Sequence, residues 1–178
     1  MNPFDLIQIK KCDITTLSCD TIVNAANSSL LGSGGVDGVI HRVAKNKLLD
    51  ECREIRKTKY PHGLATGKAV LTNAYNLPSK YVINTGGPIW QGGNCNEPQL
   101  LSDCYNNSLK IAKDIGLSSV AFPAISTNVY HYPKELAVKI ALNSVIKFIT
   151  NEQVDILIIF ALNNTNFEIY NKNIEGKL

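Results

Sequence analysis

The chain alternates between short apolar runs and longer stretches in which apolar residues recur at helical spacing. The short runs predict strands at residues 4–10, 21–23, 67–72, 80–84, 118–122 and 154–160. The helical spacing predicts helices over 36–52, 97–115 and about 133–150, followed by a last short helix. Asn96 is expected to cap the second of these helices and Gly116 to end it.

Strands that alternate with long amphipathic helices indicate the α/β class. We expect a three-layer α/β/α domain whose central sheet is mixed but largely parallel. A chain of 178 residues has the size of one ordinary domain, and no linker, repeat or low-complexity tract divides it. Residues 1–178 are therefore predicted to form a single domain. Ligands bind such sheets at the carboxyl ends of the strands, where loops and helix N-termini converge.

The composition is typical of a folded protein outside the membrane. Hydrophobic residues make up 44% of the chain and charged residues 19%, unlike the composition of a disordered chain. No apolar run approaches the roughly 18 residues of a membrane helix, and the first residues lack the order of a signal peptide. We therefore expect a cytoplasmic location and no membrane partner.

The spacing of cysteine and histidine residues gives no indication of a metal or disulfide site. The five cysteines are an odd number without a Cys-x-x-Cys pair, which favours buried free thiols over a disulfide scaffold or a zinc ribbon. His41, His62 and His131 have no ligand-like spacing with these cysteines. No metal and no cofactor are predicted.

The charge of the chain argues against a nucleic-acid partner. A net charge of +3 is too small to mark a nucleic-acid-binding protein. Arg53, Arg56, Lys57 and Lys59 form a local basic cluster, which we interpret as the solvated end of a helix.

Small and polar residues follow several of the predicted strands. The segments are Asn24-Ala-Ala-Asn27, Thr85-Gly-Gly-Pro88, Pro123-Ala-Ile-Ser-Thr-Asn128 and Ala161-Leu-Asn163. Such segments let the backbone approach a ligand and offer amide N–H groups and short polar side chains. These features suit a molecule that contains phosphate and sugar.

A glycine-rich loop leads into the first predicted helix. Gly32, Gly34 and Gly35 precede this helix, whose unpaired N–H groups and dipole make an anion cradle. No Gly-Lys-Ser/Thr follows, so the loop is not a P-loop, and Asp37 replaces the third glycine of a dinucleotide-binding fingerprint. A carboxylate beside an anion site is costly unless it has a function; the alternative is that Asp37 caps the helix.

Several separate motifs resemble macrodomains, and among them the bacterial O-acetyl-ADP-ribose deacetylase and MacroD-type group. The motifs extend over nearly the whole chain and occur in the family's order. They are Asp13-Ile-Thr15, Ile22-Val-Asn-Ala-Ala-Asn27, Gly34-Gly-Val-Asp-Gly38 with Ile40-His-Arg42, Leu77-Pro with Lys80, Gly87-Pro-Ile-Trp90, Asn96-Glu with Gln99-Leu-Leu101, and Ala121-Phe-Pro-Ala-Ile-Ser-Thr127 with Tyr130-x-Tyr-Pro133. The resemblance implies that the ligand is ADP-ribose or a derivative modified at its distal ribose.

The resemblance also implies a role for individual residues. Asp37 and Asn27 would be the catalytic pair, with Asp37 as a general base whose pKa the diphosphate raises and Asn27 on the distal-ribose hydroxyls. Asp13 would accept a hydrogen bond from the adenine amino group. The implied ligand-binding residues are Asp13, Ile14, Asn24, Asn27, Gly34, Gly35, Val36, Asp37, Ser126, Thr127, Asn128, Val129, Tyr130 and Leu162.

Five positions depart from the pattern of that family. Asn128 and His131 replace glycines, Cys12 replaces a glycine, Asn84 replaces a histidine, and Leu162 replaces an aromatic residue. Asparagine adopts left-handed backbone more readily than most residues, so the turn at Asn128 is expected to survive. Its side chain and the loss of stacking at Leu162 are expected to weaken binding or slow turnover.

Two functions follow from the resemblance. The first is a hydrolase that deacetylates O-acetyl-ADP-ribose and also releases mono-ADP-ribose from acidic side chains of proteins, since both reactions open an ester at the distal ribose. The second is a reader that binds ADP-ribose without chemistry. The presence of Asn27 and Asp37 favours the hydrolase. Binding of RNA or poly(ADP-ribose) through the basic cluster is a third, weaker hypothesis, and a monomer is expected.

Overall fold

A central sheet of six strands organises residues 2–176, the part of the chain that the computed structural model describes. The strands are β1 (Ile7–Lys11), β2 (Thr21–Ala26), β3 (Ala69–Asn73), β4 (Tyr81–Gly86), β5 (Ser119–Phe122) and β6 (Leu157–Leu162). Their order in the sheet is β1-β6-β5-β2-β4-β3. All neighbouring pairs are parallel except β3 with β4. The predicted mixed, largely parallel sheet is thus confirmed.

Helices cover both faces of this sheet. They are α1 (Gly35–Ala44), α2 (Asn46–Thr58), α3 (Glu97–Asp114), α4 (Lys134–Glu152) and α5 (Asn164–Glu175). Successive strand residues belong to two separate cores because side chains of a strand point alternately to opposite faces. Ile22 packs with residues of α1 and α2, whereas Val23 packs with residues of α3, α4 and α5. The predicted three-layer α/β/α architecture is confirmed.

Two of the predicted elements differ from the structure at the N-terminal end of the chain. Residues 4–6 were predicted as strand but belong to a 3-10 turn, Pro3–Leu6, that Asn2 caps through a hydrogen bond from the Phe4 N–H. β2 extends three residues beyond the predicted 21–23. The extension contains the buried Asn24. The strand was predicted from its apolar residues, and the polar Asn24 ended that apolar run.

The helix predicted over 36–52 is two helices, which meet at Lys45. Lys45 has φ 68° and ψ −170°, a conformation that is adopted almost only by glycine. Its N–H donates to the carbonyl oxygen of His41 at 3.1 Å and so ends α1. The change of direction lets Leu48 and Cys52 of α2 enter the same core as α1. No glycine or proline marks the junction in the sequence. The apolar residues keep their helical spacing across it, so a single helix was predicted.

The structure also tests the predictions for the cysteines and the basic cluster. All five cysteines are free, and Cys19, Cys52 and Cys104 are buried as predicted, but Cys12 is half-buried and Cys95 is exposed. The basic cluster lies at the C-terminal end of α2, as predicted. Within residues 2–176, no helix is both long enough and apolar enough to cross a membrane.

We expect the Lys45→Gly variant to be more stable than the wild type by about 1 kcal/mol. Glycine adopts this backbone conformation without strain, which should raise the free energy of unfolding by about 1–3 kcal/mol. The greater freedom of glycine in the unfolded chain should lower it by about 0.4–1 kcal/mol. Urea denaturation measures the change. Lys47→Gly, two residues on and inside α2, is the control and should lose about 0.5–1 kcal/mol; equal losses in both variants would contradict the strain at Lys45.

Candidate functional site

A cavity of about 590 Å³ lies at the carboxyl edge of the sheet. The carboxyl ends of parallel strands meet at one edge, so the loops after β1, β2, β5 and β6 reach the same space. The lining residues are Cys12, Asp13, Ile14, Ala25, Ala26, Asn27, 33–36, Val39, Gly87, 123–130, Lys134, 161–163 and Asn166. The size is typical of a small-molecule site, which usually occupies 300–1,000 Å³.

Two loops form opposite sides of the cavity. The first loop is residues 27–36, which run from the end of β2 into the first turn of α1, and the second loop is residues 123–133, between β5 and α4. A Cβ atom on Gly35 would lie 3.6 Å from Nδ2 of Asn128, so the Asn128 side chain lies over the first loop. A Cβ atom on Gly87 would lie 2.2 Å from Oγ of Ser126. Only glycine at position 87 therefore permits the second loop to pack against the end of β4.

The second loop has left-handed backbone at positions other than the one expected. Ser126 has φ 65° and His131 has φ 55°, whereas Asn128 is not among the residues with positive φ. The turn therefore does not depend on a left-handed Asn128, and the replacement of glycine matters more at His131. The Tyr132 N–H donates to the Ser126 carbonyl oxygen at 3.0 Å and closes the loop.

The Asp37 carboxylate is buried at the start of α1 and fully engaged in hydrogen bonds. Only 2% of Asp37 is exposed. Its Oδ1 accepts from Nδ2 of Asn24 at 2.7 Å, and its Oδ2 accepts from Oγ of Ser33 at 2.8 Å. His41 Nε2 lies 3.4 Å from Oδ1. The alternative interpretation of Asp37 as a helix cap is wrong, because Gly34 occupies the N-cap position of α1.

A chain of buried polar groups continues from Asp37 into the sheet. Asn24 Nδ2 also donates to Oδ1 of Asn84 at 3.0 Å. Asn84 Nδ2 in turn donates to Oγ1 of Thr72 at 3.1 Å. The hydrogen bonds thus link β2, β4 and β3 behind the cavity. Asn84, noted above as a departure from the family pattern, is an internal link in this chain.

The surroundings of Asp37 lower its pKa. Burial alone would raise the pKa of this carboxyl group, but contacts with His41, Asn24 and Ser33 stabilise the charged form more strongly and hold the pKa below its ordinary value. The sequence analysis expected a bound diphosphate to raise the pKa of Asp37. The protein's own groups have the opposite effect and lower it.

The structure brings nearly all of the predicted site residues to one cavity. Those on its wall are Asp13, Ile14, Asn27, Gly34, Gly35, Val36, Ser126, Thr127, Asn128, Val129, Tyr130 and Leu162. Asn24 and Asp37 do not lie on the wall; they are buried behind it, and Asn24 has no exposed surface. Ser33 lies on the wall and contacts Asp37, so its hydroxyl connects the carboxylate to the cavity.

The predicted list of site residues omitted several residues that line the cavity, among them Ser33, Gly87, Lys134 and Asn166. Gly87 and Ser33 lay within recognised loops, so a closer inspection of loop side chains would have found them. Lys134, whose Nζ donates to the Thr127 carbonyl oxygen at 3.3 Å, comes from the first turn of α4. Asn166, in the first turn of α5, gave no sequence signal because asparagine is also common at helix starts.

Polar groups remain available to a ligand at both ends of the cavity. Asp13 Oδ1 accepts from the N–H and hydroxyl of Thr15, at 2.9 and 2.7 Å, which leaves its second oxygen available. Asn27 Oδ1 accepts from the N–H and hydroxyl of Ser29, at 3.0 and 2.6 Å. Asn27 therefore offers its amide NH2 as a donor. Within the described part of the chain, no three His, Cys, Asp or Glu side chains are grouped as metal ligands.

Comparisons with known proteins agree with this arrangement of loops and strands. The Macro domain family model matches residues 23–141. An O-acetyl-ADP-ribose deacetylase of Escherichia fergusonii is 48% identical over 167 residues, which cover 93% of each chain. The Oceanobacillus iheyensis macrodomain with ADP superposes with a TM-score of 0.92 at 40% identity, over 96% of this chain and 90% of that chain. The Trypanosoma brucei macrodomain in complex with ADP-ribose gives a TM-score of 0.86 at 38% identity, over 94% and 68% of the two chains. This chain belongs to the macro domain family.

Proposed function

We propose that this chain binds ADP-ribose in the cavity between the two loops and hydrolyses esters at its distal ribose, with O-acetyl-ADP-ribose as a substrate. The single observation that carries the proposal is the position of Asp37, which lies one hydrogen bond behind Ser33 on the wall of this cavity. The relatives described above include a deacetylase of this ester and structures that contain ADP and ADP-ribose.

The adenine end of the ligand lies beside Asp13 in this proposal. The second carboxylate oxygen of Asp13 accepts a hydrogen bond from the adenine amino group, since its first oxygen is engaged by Thr15. Ile14 and Leu162 also line the cavity and contact the base through apolar surface in this proposal. Apolar contact at Leu162 replaces aromatic stacking, which is worth about 0.5–1.5 kcal/mol.

The diphosphate lies between the two loops. Backbone N–H groups at the start of α1, near Gly34 and Gly35, and those of the second loop donate to its oxygens. Lys134 supplies positive charge from the cavity wall. The distal ribose lies beside Asn27, whose amide NH2 donates to a ribose hydroxyl, and Tyr130 walls in the sugar.

Hydrolysis uses a water molecule between the ester and Ser33. The water oxygen attacks the ester carbonyl carbon, and its proton passes through the Ser33 hydroxyl to Asp37. The bond between the carbonyl carbon and the ribose oxygen breaks, and the ribose oxygen takes back the proton from Asp37 through Ser33. Acetic acid then loses its own proton to solvent. The products are acetate and ADP-ribose. An ester that joins ADP-ribose to an acidic protein side chain has the same bond, so we propose mono-ADP-ribosylated proteins as further substrates.

The alternative function is a reader that binds ADP-ribose without chemistry. One observation favours it: both oxygens of Asp37 already accept hydrogen bonds, and the carboxylate is 2% exposed. A carboxylate buried in this way can exchange a proton with water in the cavity only through the Ser33 hydroxyl. Measurements of turnover and of binding on the same protein separate the two functions.

We expect Asp37→Ala to lower the hydrolysis of O-acetyl-ADP-ribose by about 100-fold or more, the usual effect of losing a general base. Its affinity for ADP-ribose should stay within a few-fold of wild type, because the residue lies behind the cavity wall. Ser33→Ala should lower turnover by a smaller factor. Release of acetate and titration calorimetry with ADP-ribose are the measurements.

The control for this experiment is Asp114→Ala. Asp114 lies at the end of α3 and pairs on the surface with Lys110, so its loss should change neither turnover nor affinity. Equally slow acetate release by wild type and Asp37→Ala, with ADP-ribose bound by both, would establish the reader and refute the hydrolase.

The pH profile of the reaction tests the charge of Asp37. Its pKa lies below the ordinary value of 3.8, so the folded protein stabilises the ionised carboxylate, and this stabilisation is lost only as the pH falls through the lowered pKa. The ratio kcat/KM reports groups of the free enzyme. We therefore expect no acid limb from Asp37 between about pH 5 and 8. An acid limb near pH 6 that Asp37→Asn abolishes would contradict the lowered pKa.

A further inference from the structure

The segment that joins α2 to β3 borders the cavity at the end where the proposed function places the distal ribose. It comprises residues 57–68, from the last turn of α2 to the residue before β3. The Leu64 N–H donates to the Ser28 carbonyl oxygen at 2.9 Å. Ser28 directly follows Asn27, which lines the cavity. One point of the segment is thus fixed beside Asn27.

The end of the same segment is fixed at a second point of the cavity wall. The Gly67 N–H donates to the Gly86 carbonyl oxygen at 2.9 Å, and Gly86 directly precedes Gly87, another lining residue. Leu64 is 1% exposed and packs in the core with residues of α1 and α2. The segment therefore follows the rim of the cavity and is held there by backbone hydrogen bonds and an apolar side chain.

Exposed lysines give this segment a positive charge. Lys57, Lys59 and Lys68 are exposed, and we call these three residues the basic rim. No aspartate or glutamate occurs over residues 55–96 of the sequence. Within residues 2–176, no carboxylate forms an ion pair with any of the three lysines. Their charges are therefore available to a partner.

The two arginines of the basic cluster do not belong to the basic rim, because both are already engaged. Arg53 Nη1 lies 3.2 Å from Oδ1 of Asp50. Arg56 donates to the Tyr60 carbonyl oxygen at the end of α2. The basic rim thus consists of lysines, which attract an anion as point charges and do not require a fixed bidentate geometry.

Two carboxylates lie near the basic rim. Glu54 is one turn before Lys57 on α2. Asp103 of α3 lies beside Gly67, since its Oδ2 would be 3.6 Å from a Cβ atom at that position. Asp103 Oδ1 accepts from Nε2 of Gln99 at 2.8 Å. The three lysines outnumber these two carboxylates, so the rim attracts an anionic partner.

The chemistry of the proposed protein substrate brings a partner chain to the basic rim. The acyl part of its ester is an aspartate or glutamate side chain, whose backbone leaves the cavity beside Asn27. Because residues 57–68 border this exit, the residues that flank the modified side chain pass close to the lysines. Acidic flanking residues gain favourable charge interactions there, whereas basic ones are repelled.

We propose that the basic rim binds acidic residues that flank the modified side chain, and that the protein therefore prefers ADP-ribose esters in acidic segments of other proteins. The proposal rests on the proposed function, because that function places the ester beside Asn27. O-acetyl-ADP-ribose has no flanking residues for the basic rim to bind. The preference is thus a property of protein substrates alone.

A nucleic acid is the other polyanion that lysines attract. Proteins that bind single-stranded nucleic acid usually combine positive charge with exposed aromatic rings on which the bases stack. Tyr60 is the one phenylalanine, tyrosine or tryptophan in residues 57–68. It is half-buried and packs against the core, so little of its ring is available for stacking. An acidic peptide needs only the charges and fits the basic rim better.

The test compares kcat/KM for two peptides that carry ADP-ribose on one glutamate. Aspartate and glutamate flank the modified residue in the first peptide, and serine and glutamine flank it in the second. An exposed ion pair changes affinity by up to about fivefold. We expect the acidic peptide to exceed the neutral one by about tenfold at low salt. The difference should shrink to less than about twofold at about 1 M salt, where the screening length is about 3 Å.

The double variant Lys57→Glu with Lys59→Glu should reduce the ratio of acidic to neutral peptide from about ten to about one or below. The control is Lys139→Glu with Lys147→Glu, which changes the net charge equally. Both control lysines are exposed on α4, which packs on the opposite face of the sheet from α2; their ratio should stay near ten. Both double variants should keep the wild-type kcat for O-acetyl-ADP-ribose, since none of the four lysines lines the described cavity.

The outcomes separate this inference from the proposed function. Equal kcat/KM for the two peptides, or a ratio that the Lys57 and Lys59 double variant leaves unchanged, overturns the inference while O-acetyl-ADP-ribose hydrolysis stands. A single-stranded RNA that the wild type binds more tightly than the unmodified acidic peptide, and that this variant no longer binds, assigns the basic rim to nucleic acid and also overturns it.

Titration calorimetry covers a protein that hydrolyses no ester. Such a result overturns the proposed hydrolase, and both modified peptides then stay intact during a titration. A tenfold tighter binding of the acidic peptide that is lost in the Lys57 and Lys59 double variant would still support the basic rim. Equal binding of the two peptides would overturn it.

Discussion

The ionised carboxylate of Asp37 is buried at the start of α1 and needs hydrogen-bond donors. This need determines which residues surround it in the site. A charge removed from water is tolerated only when hydrogen bonds replace its solvation. Asp37 obtains them from Asn24, in the middle of an otherwise apolar strand, and from Ser33 in the glycine-rich loop. Gly38 in the first turn of α1 permits this arrangement, because a Cβ atom there would lie 2.6 Å from the Ser33 carbonyl oxygen.

Much of the fold could be predicted from the sequence because periodicity depends on local patterns. The parallel sheet, its two helical layers and most element positions followed from apolar spacing alone. The break at Lys45 could not be predicted, because tertiary packing of α2 imposes a conformation that no local residue signals. The short prediction for β2 has a related cause: Asn24 is a polar residue whose partners lie 13 and 60 residues away.

The wall of the candidate site could be predicted more completely than the groups behind it. Segments after the strands pointed to Asn27 and the second loop, since loops at the carboxyl edge converge. The family resemblance pointed to Asp13. The burial of Asp37 could not be read from them. A sequence places a carboxylate next to a glycine loop but does not show which side of the loop its oxygens reach. Ser33 lay in the recognised glycine-rich loop but was not singled out, because a serine among glycines is typical of any flexible turn.

The chain of side-chain amides behind the cavity constrains how the sequence can change over time. Asn84 accepts a hydrogen bond from Asn24 and donates one to Thr72, whose hydroxyl donates to the Val82 carbonyl oxygen. Replacement of Asn84 or Thr72 alone therefore leaves an unsatisfied polar atom in the interior. Substitutions that keep the protein functional should thus occur in pairs. Among related sequences, we would look for correlated exchange at positions 72 and 84, where one hydroxyl–amide combination gives way to another of compatible polarity.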